Sequence, residues 1–238
     1  MAAINQFYRK RDRIRRAAVI LVGLLLAASG LAPAFQEIHP VSGRKIAPVM
    51  GAGGADWLER SERESEEHPD DAIAALKLKP GMVVADVGAG TGYMTLRLAR
   101  KVGPTGKVYG EDVQPEMLSR LRDNAAKAKL ANVEEVLGTE TDPKLPRDSL
   151  DLILMVDVYH ELSHPQEMLR RLREELKADG RLVLLEYRKE DPSVPIKPDH
   201  KMSVQEVKVE MQAEGFRLDQ VIETLPWQHI LILKKNGG

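Results

Sequence analysis

The chain has 238 residues, 43% of them hydrophobic and 30% charged, which is enough apolar sequence for a core and excludes a wholly disordered protein. Its 35 basic and 36 acidic residues give a formal net charge of −1, so a strongly basic nucleic-acid-binding protein is excluded. The absence of cysteine excludes disulfides, thiolate metal sites and a cysteine nucleophile.

Residues 1–35 have the pattern of a segment that is directed to a membrane. Residues 9–16 contain six basic residues, and residues 17–36 carry no charge. A basic start, an apolar run and small residues at Ala32 and Ala34 are typical of a secretory signal peptide. The alternative is an uncleaved membrane anchor, for which a full span needs about 20 apolar residues. Either interpretation predicts an exported (periplasmic) or inner-membrane-anchored protein, whereas a cytoplasmic protein is expected if this segment is not a signal.

Residues 36–71 are predicted to form a linker and an N-terminal helical lid. Prolines and glycines interrupt residues 36–55, and eight acids dominate residues 56–71, which we interpret as a solvated helix. Trp57 and the glycine-rich residues 50–54 are candidates for a lid over a ligand. The alternative is a plain linker that Trp57 anchors.

From residue 72 onwards, short apolar runs alternate with amphipathic segments. The runs predict seven strands, at residues 82–87, 106–112, 132–138, 150–156, 181–187, 216–224 and 229–234. The amphipathic segments predict helices at residues 93–102, 115–130, 165–177 and 203–214. This alternation predicts an α/β fold with a doubly wound, mostly parallel sheet that is covered by helices on both faces. Because only four residues join the last two strands, the last strand is expected to be antiparallel.

A glycine loop follows the first predicted strand, at the end where parallel sheets bind ligands. Asp86 is followed by Gly88, Gly90 and Gly92, and alternate glycines let the backbone approach a ligand closely. The alternative is a tight strand–helix turn without a ligand. Asp112 ends the second strand, where a carboxylate can accept hydrogen bonds from both ribose hydroxyls of a nucleotide-type cofactor. The G-x-G-x-G spacing does not match the dinucleotide pattern G-x-G-x-x-G, which disfavours a dehydrogenase.

These motifs resemble those of the class I S-adenosylmethionine-dependent methyltransferases. The resemblance covers residues 72–235 and includes the glycine loop, residues 106–112, residues 115–118 and the strand that starts at Leu150. It implies a methyltransferase domain over residues 72–238 that binds S-adenosylmethionine as its cofactor. It also implies a Rossmann-like, seven-stranded sheet in which the last strand lies antiparallel between the fifth and the sixth.

The resemblance further implies which residues bind the cofactor. They are Asp86, Gly88, Gly90, Gly92, Asp112, Thr139, Glu140 and Asp157. The glycine loop would lie under the methionine part of the cofactor, and Asp86 would fix the loop and the amino-acid end. Asp112 would bind the ribose hydroxyls, and Thr139 or Glu140 would lie beside the adenine. Asp157 would face the sulfonium.

Asp157, Tyr159 and His160 are the candidate catalytic residues, because they follow the fourth strand at the edge of the sheet that binds ligands. His160 can take up a proton near neutral pH, and the alternative is that it packs against the following turn. The run 157–162 is similar to that of a bacterial subgroup of the family. By residue type Asp157, His160 and Glu161 can bind a metal, but their spacing matches no recognised site and no metal is expected.

The sequence thus predicts a methyltransferase that acts on a small-molecule or lipid-like acceptor. His200, in the long loop after the fifth strand, either lines the acceptor pocket or is a surface histidine. The alternative function is a non-catalytic, exported or anchored binding module that keeps the fold. The N-terminal segment conflicts with an active enzyme, since S-adenosylmethionine is made in the cytoplasm. No nucleic-acid partner is expected, and a membrane contact would involve the N-terminal segment.

Overall fold

The structure is a computed structural model that describes residues 37–237. The predicted signal or anchor at residues 1–35 lies outside the described residues. Within residues 37–237, no helix has both the length and the apolar character that a membrane crossing requires.

A seven-stranded sheet with the strand order β3-β2-β1-β4-β5-β7-β6 forms the centre of the fold. Its strands are β1 (Val83–Val87), β2 (Lys107–Asp112), β3 (Val133–Leu137), β4 (Leu150–Val156), β5 (Leu176–Tyr187), β6 (Phe216–Ile222) and β7 (Gln228–Lys235). Strands β1 to β5 pair in parallel, whereas β7 is antiparallel to both β5 and β6. The predicted fold class and the place of the last strand are therefore confirmed.

Seven helices occur among the described residues. They are α1 (Ala55–Leu58), α2 (Arg63–Glu67), α3 (Pro69–Ala75), α4 (Thr95–Val102), α5 (Pro115–Lys127), α6 (Pro165–Glu175) and α7 (Val204–Ala213). Three further turns are 3-10 helices, at Ala52–Gly54, Tyr159–Glu161 and Pro198–His200. Strand β5 starts five residues earlier than predicted, because Leu176 already pairs with Leu150 across an irregularity in the ladder.

Strand β4 shows why the sheet is buried on both faces. Ile153 and Met155 pack into one hydrophobic cluster, and Leu152 and Leu154 pack into the cluster on the other side of the sheet. All four side chains are fully buried. Each such side chain contributes about 1.5–3 kcal/mol on burial, so the continuous apolar run in the sequence corresponds to a strand that is covered by helices on both faces.

The segment from residue 37 to the end of helix α1 is packed against the sheet domain. We call residues 37–58 the N-terminal strap. Within it, Arg44 donates from Nε to Glu210 Oε1 at 2.8 Å and from Nη1 to the carbonyl of His160 at 3.0 Å. His39 Nε2 lies 3.3 Å from Glu210 Oε2. Because His39, Arg44 and Glu210 are all buried, the strap is tied to helix α7 where the sequence predicted a linker.

The acidic segment also differs from the solvated helix that its composition predicted. It forms the three short helices α1, α2 and α3, and in α2 the side chains of Arg63 and Glu67 are buried as an ion pair with Nε 2.7 Å from Oε2. Trp57 remains 44% exposed, and the guanidinium of Arg60 stacks on its ring at 3.7 Å from the centroid. Glu67 also accepts a hydrogen bond from the hydroxyl of Tyr187 at 3.2 Å, which connects this segment to strand β5.

Candidate active site

A cavity of about 130 Å³ lies at the carboxyl ends of β1, β2 and β4. We call it the main cavity. Its wall includes the glycine loop after β1, the acidic end of β2 and the turn after β4, and the strap contributes Val49, Met50 and Leu58. The strand order reverses between β1 and β4, which is where ligands bind in doubly wound sheets. Of the residues that the sequence singled out, the main cavity brings together Gly88, Gly90, Asp112, Glu140 and Asp157.

The glycine loop is shaped by its contacts with the two neighbouring strands. Gly88 has a φ of +73°, and a Cβ there would lie 2.5 Å from a methyl group of Val158. The N–H of Gly90 donates to Asp112 Oδ2 at 2.9 Å, and the N–H of Gln114 donates to Asp112 Oδ1 at 2.9 Å. Asp112 thus fixes the loop and also lines the main cavity. These contacts give the backbone the close approach that a bound ligand requires.

Four carboxyl groups give this end of the sheet an acidic character. Burial raises the pKa of Asp86 to about 6, although a 2.6 Å hydrogen bond from Thr95 opposes the shift. Burial also raises the pKa of Asp112, and it raises the pKa of Glu111 and of Asp157 well above their usual range. Among the described residues, Glu111 Oε1 and Asp157 Oδ1 are buried without a hydrogen-bond partner. Such a site favours a ligand that carries positive charge and hydrogen-bond donors.

A smaller cavity of about 40 Å³ adjoins the glycine loop on the side of Asp86. We call it the side cavity. Leu58, Gly88 and Gly90 line both cavities, so the side chain of Leu58 lies where the two meet. Arg63 also lines the side cavity and is held by Glu67 and by the carbonyl of Leu58 at 3.1 Å. The side cavity therefore combines a guanidinium with the carboxyl of Asp86.

The loop after β3 contributes one of its two predicted residues to the main cavity. Glu140 lines the cavity and accepts a hydrogen bond from Ser163 at 3.2 Å. Thr139 is exposed and its hydroxyl bonds within its own turn to the backbone of Asp142. The adenine contact predicted for Thr139 or Glu140 stays a prediction, and the geometry favours Glu140.

Tyr159 and His160 lie behind the cavity wall. Tyr159 is fully buried, and its hydroxyl faces Nε2 of His39 at 3.4 Å. His160 is 2% exposed, with Nδ1 2.6 Å from Glu186 Oε2 and Nε2 3.2 Å from Nδ1 of His200. Neither residue lines the main cavity. The predicted catalytic roles of Tyr159 and His160 therefore stay predictions, and a direct contact with a substrate in the main cavity does not support them.

Glu161 connects His160 and His200 to the main cavity. It lines the cavity, and its Oε1 lies 3.8 Å from His160 Nε2 and 3.5 Å from His200 Nδ1. The hydrogen bond to Glu161 raises the pKa of His200. Asp157 lines the cavity independently and receives a 2.7 Å hydrogen bond from Gln228. The ionisable groups that follow β4 and reach the cavity are thus Asp157 and Glu161.

Sequence reasoning missed several residues of the site. Arg63 lies in a run of charged residues that is typical of a solvated surface. Glu111 directly precedes Asp112, and only Asp112 occupies the strand-end position that predicts a ribose contact. Gln228 starts the last strand, and nothing in its neighbourhood along the chain signals a contact with Asp157. His200 lies in a loop at the rim of the sheet, and this position in the sequence indicates a residue near the site. Its contact with His160 is visible only in the folded structure.

A second depression, of about 820 Å³, lies at the opposite ends of β2 and β3. It is lined by the loops that lead into Lys107 and Val133. None of the predicted site residues lies there. Because this depression lies away from the glycine loop, the main cavity is the better candidate for the functional site, although its volume is smaller.

Comparisons with known proteins define the class to which this site belongs. Residues 78–231 match a family model described as a methyltransferase domain. The crystal structure of a SAM-dependent methyltransferase from Aquifex aeolicus is 30% identical, covers 78% of this chain and 98% of that chain, and superposes with a TM-score of 0.74. The chain therefore belongs to the class I S-adenosylmethionine-dependent methyltransferase family, whose cofactor is S-adenosylmethionine.

Curated relatives match over a shorter stretch. The ubiquinone/menaquinone biosynthesis C-methyltransferase UbiE of Burkholderia cenocepacia (strain HI2424) is 30% identical over 117 residues, which is 49% of this chain and 48% of that protein. UbiE of Ectopseudomonas mendocina (strain ymp) is 33% identical over 113 residues, or 47% of this chain and 44% of that protein. The chain thus spans about half the length of the curated relatives it matches.

Proposed function

We propose that this protein transfers the methyl group of S-adenosylmethionine to a small-molecule or lipid-like acceptor. The observation that carries the proposal is the convergence of the glycine loop and three buried carboxyl groups on the main cavity at the β1–β4 switch point, with a fourth, Asp86, in the adjoining side cavity. S-adenosylmethionine, when bound, supplies an electrophilic methyl group on a cationic sulfur. A cationic cofactor is what a buried acidic site of this kind stabilises.

The residues present fit this cofactor. The main cavity leaves room for a ligand, and the unpartnered oxygens of Glu111 and Asp157, two residues of its wall, offer hydrogen-bond acceptors. Asp112 would hold the ribose hydroxyls. Asp86 and Arg63, which share the side cavity, would hold the ammonium and the carboxylate of the amino-acid end.

Apolar side chains of the strap and of the turn after β4 would exclude water from the methyl acceptor. Val49, Met50 and Leu58 line the main cavity on one side, and Leu162 and Met168 line it on the other. Glu161 lies on the same wall and would receive a proton if the acceptor must lose one. Orientation of the acceptor in this apolar enclosure would supply much of the rate, because methyl transfer is an in-line displacement.

The names of the curated relatives suggest the acceptors to test first. UbiE is named for C-methylation in ubiquinone and menaquinone biosynthesis, and such quinones are lipid-like. The apolar wall of the main cavity is consistent with an acceptor of this class. We therefore propose a lipid-like acceptor ahead of a polar one, and a screen that starts with hydroxylated aromatic compounds carrying an apolar tail.

The second candidate function is a non-catalytic, exported or anchored binding module. The apolar segment within residues 1–35 is the observation that favours it. The two candidates differ in one measurable property. An enzyme converts S-adenosylmethionine to S-adenosylhomocysteine in the presence of an acceptor, whereas a binding module leaves the cofactor unchanged.

Calorimetric titration of the full chain in a non-ionic detergent tests the cofactor assignment. We expect micromolar binding of S-adenosylmethionine and S-adenosylhomocysteine and no binding of NAD. Asp112→Ala should weaken binding by about 100-fold or more, because it removes a buried acceptor and releases the N–H of Gly90 (~1–3 kcal/mol for each unsatisfied group). The exposed Asp123→Ala, on α5, is the matched control and should bind like the parent. Unchanged affinity in a folded Asp112→Ala protein would remove Asp112 from the site.

The affinity for S-adenosylmethionine is expected to fall as the pH drops through about 6, where Asp86 takes up a proton. Above that pH the ionised carboxylate attracts the cationic cofactor, and below it the neutral acid does not. Asp86→Asn, which can still accept the hydrogen bond from Thr95, should remove the part of this pH dependence that is centred near pH 6 and should bind more weakly at pH 7.5. Titrations between pH 5 and 8 measure the effect, and a variant with the same pH profile as the parent would contradict it.

A further inference from the structure

We propose that His160, Glu161 and His200 bind one divalent transition-metal ion. His160 and Glu161 lie in the 3-10 turn after β4, and His200 lies in the 3-10 turn Pro198–His200 after β5. The chain separates the two histidines by forty positions, yet the fold brings one side-chain ligand atom of each residue within 4.8 Å of the others. Metal binding by the chain is a property separate from methyl transfer.

The distances among the three ligand atoms suit a single small ion. His160 Nε2 lies 3.2 Å from His200 Nδ1, and Glu161 Oε1 lies 3.8 Å and 3.5 Å from these two nitrogens. Zinc bonds of about 2.0–2.1 Å at tetrahedral angles place neighbouring ligand atoms about 3.3 Å apart. Two imidazoles and one carboxylate form a ligand set typical of Zn²⁺ and of Fe²⁺.

Glu186 supplies the outer contact that metal-binding histidines usually have. Its Oε2 lies 2.6 Å from Nδ1 of His160, and its Oε1 accepts a hydrogen bond from the N–H of Tyr159 at 3.0 Å. A carboxylate at Nδ1 places the imidazole proton there and leaves the lone pair of Nε2 for the metal. Glu186 is fully buried and therefore holds the ring of His160 in a fixed orientation.

The charges around this cluster also call for a cation. Across residues 37–237, neither Glu161 nor Glu186 has a lysine or arginine nitrogen within 4.0 Å. Their side chains are 14% and 0% exposed. Two shielded carboxylates without a lysine or arginine partner are costly, and a divalent ion between His160, Glu161 and His200 would offset that charge.

The position of Glu161 connects this site to the main cavity. Three protein ligands leave at least one coordination position for water or another oxygen. Glu161 lines the main cavity. We therefore assign the open coordination position to an oxygen atom of an acceptor that is bound in this cavity. This assignment rests on the proposed function, whereas metal binding itself does not. His200, whose side chain is 24% exposed, gives the ion a route from solvent.

Metal titration of the full chain tests the proposal. After removal of metals with EDTA and dialysis, Zn²⁺ is titrated calorimetrically, and Co²⁺ is titrated by its visible absorption. We expect one ion per chain and an intense absorption typical of a tetrahedral site. His200→Ala and Glu161→Gln should weaken binding by more than about 100-fold, and Glu186→Gln by about 10–100-fold. The exposed His68→Asn, outside the cluster, is the matched control and should bind like the parent.

The outcomes test the metal site independently of the proposed methyltransferase activity. Stoichiometric binding that His200→Ala and Glu161→Gln lose, with circular dichroism unchanged, supports the site even if the chain binds no S-adenosylmethionine. Equal affinity in the parent and in both folded variants would overturn the site, and so would an absence of binding by the parent. If the metal binds but its removal leaves turnover of an identified acceptor unchanged, the assignment of the open position to the acceptor is overturned.

Discussion

Arg44→Met is expected to lower the free energy of unfolding by about 3–5 kcal/mol, since it leaves a buried carboxylate without its cationic partner. Glu210 is fully buried and receives hydrogen bonds from Arg44 Nε at 2.8 Å and Nη2 at 3.3 Å. The loss should be smaller at acidic pH. Burial lowers the pKa of His39 and the charge of Arg44 lowers it further, so His39 can take up a proton more readily once Arg44 is absent.

Urea denaturation of the full chain at pH 7.5 and pH 5.5 measures this effect. Arg147→Met is the matched control, because Arg147 pairs with Glu174 on the surface, where both side chains are exposed, and its loss should cost less than about 1 kcal/mol. The double variant Arg44→Met/Glu210→Leu should recover much of the lost stability, since both charges are then replaced by apolar groups. Equal stability of Arg44→Met and Arg147→Met would show that the pair of Arg44 and Glu210 does not anchor the strap.

Gly88→Ala is expected to reduce the affinity for S-adenosylmethionine by about 100-fold, equivalent to ~3 kcal/mol. A Cβ at this position would lie 2.5 Å and 2.7 Å from the two methyl groups of Val158, a residue of the main cavity wall. Overpacking of this kind costs about 1–3 kcal/mol and displaces the loop or the wall. The φ of +73° adds the strain of a left-handed conformation for a residue with a side chain.

Gly103→Ala is the control that distinguishes the backbone strain of Gly88→Ala from its steric overlap with Val158. Gly103 has a φ of +71°, and a Cβ there would meet no atom within 4 Å. Both variants should therefore lose similar stability through the backbone, and Gly88→Ala alone should lose cofactor affinity. Calorimetric titration and thermal denaturation of both variants provide the comparison. Equal affinities in the two would show that the glycine loop does not contact the cofactor.

The sheet and the glycine loop were predictable because their causes are local in the sequence. The run from Leu152 to Val156 is apolar without interruption, which reports burial on both faces directly. Gly88 and Asp112 each stand at the end of a strand, so the parallel topology alone brings them together. The sheet position of β7 followed from the family resemblance and its antiparallel direction from the short connection before it.

The remainder of the site depends on contacts between distant parts of the chain. Arg44 and Glu210 are separated by 166 positions, and composition alone makes both look like surface charges. Arg63 was likewise placed on a solvated face, although its pairing with Glu67 allows it to be buried beside the glycine loop. The Arg44–Glu210 pair has no periodicity in the sequence, and the i,i+4 spacing of Arg63 and Glu67 does not reveal that the pair is buried.

The arrangement of Leu58 between the two cavities has a consequence for how the site recognises a two-part ligand. Fragments that resemble only the adenosine or only the amino-acid end would each fit on one side of this residue. The intact cofactor gains from both, since the second half binds at the high effective concentration set by its covalent link to the first. Binding of the intact cofactor would have to displace the side chain of Leu58, and this displacement would reduce the gain in affinity. A smaller residue at position 58 would let ligands enter more easily, but it would lower the selectivity for the intact cofactor over its fragments.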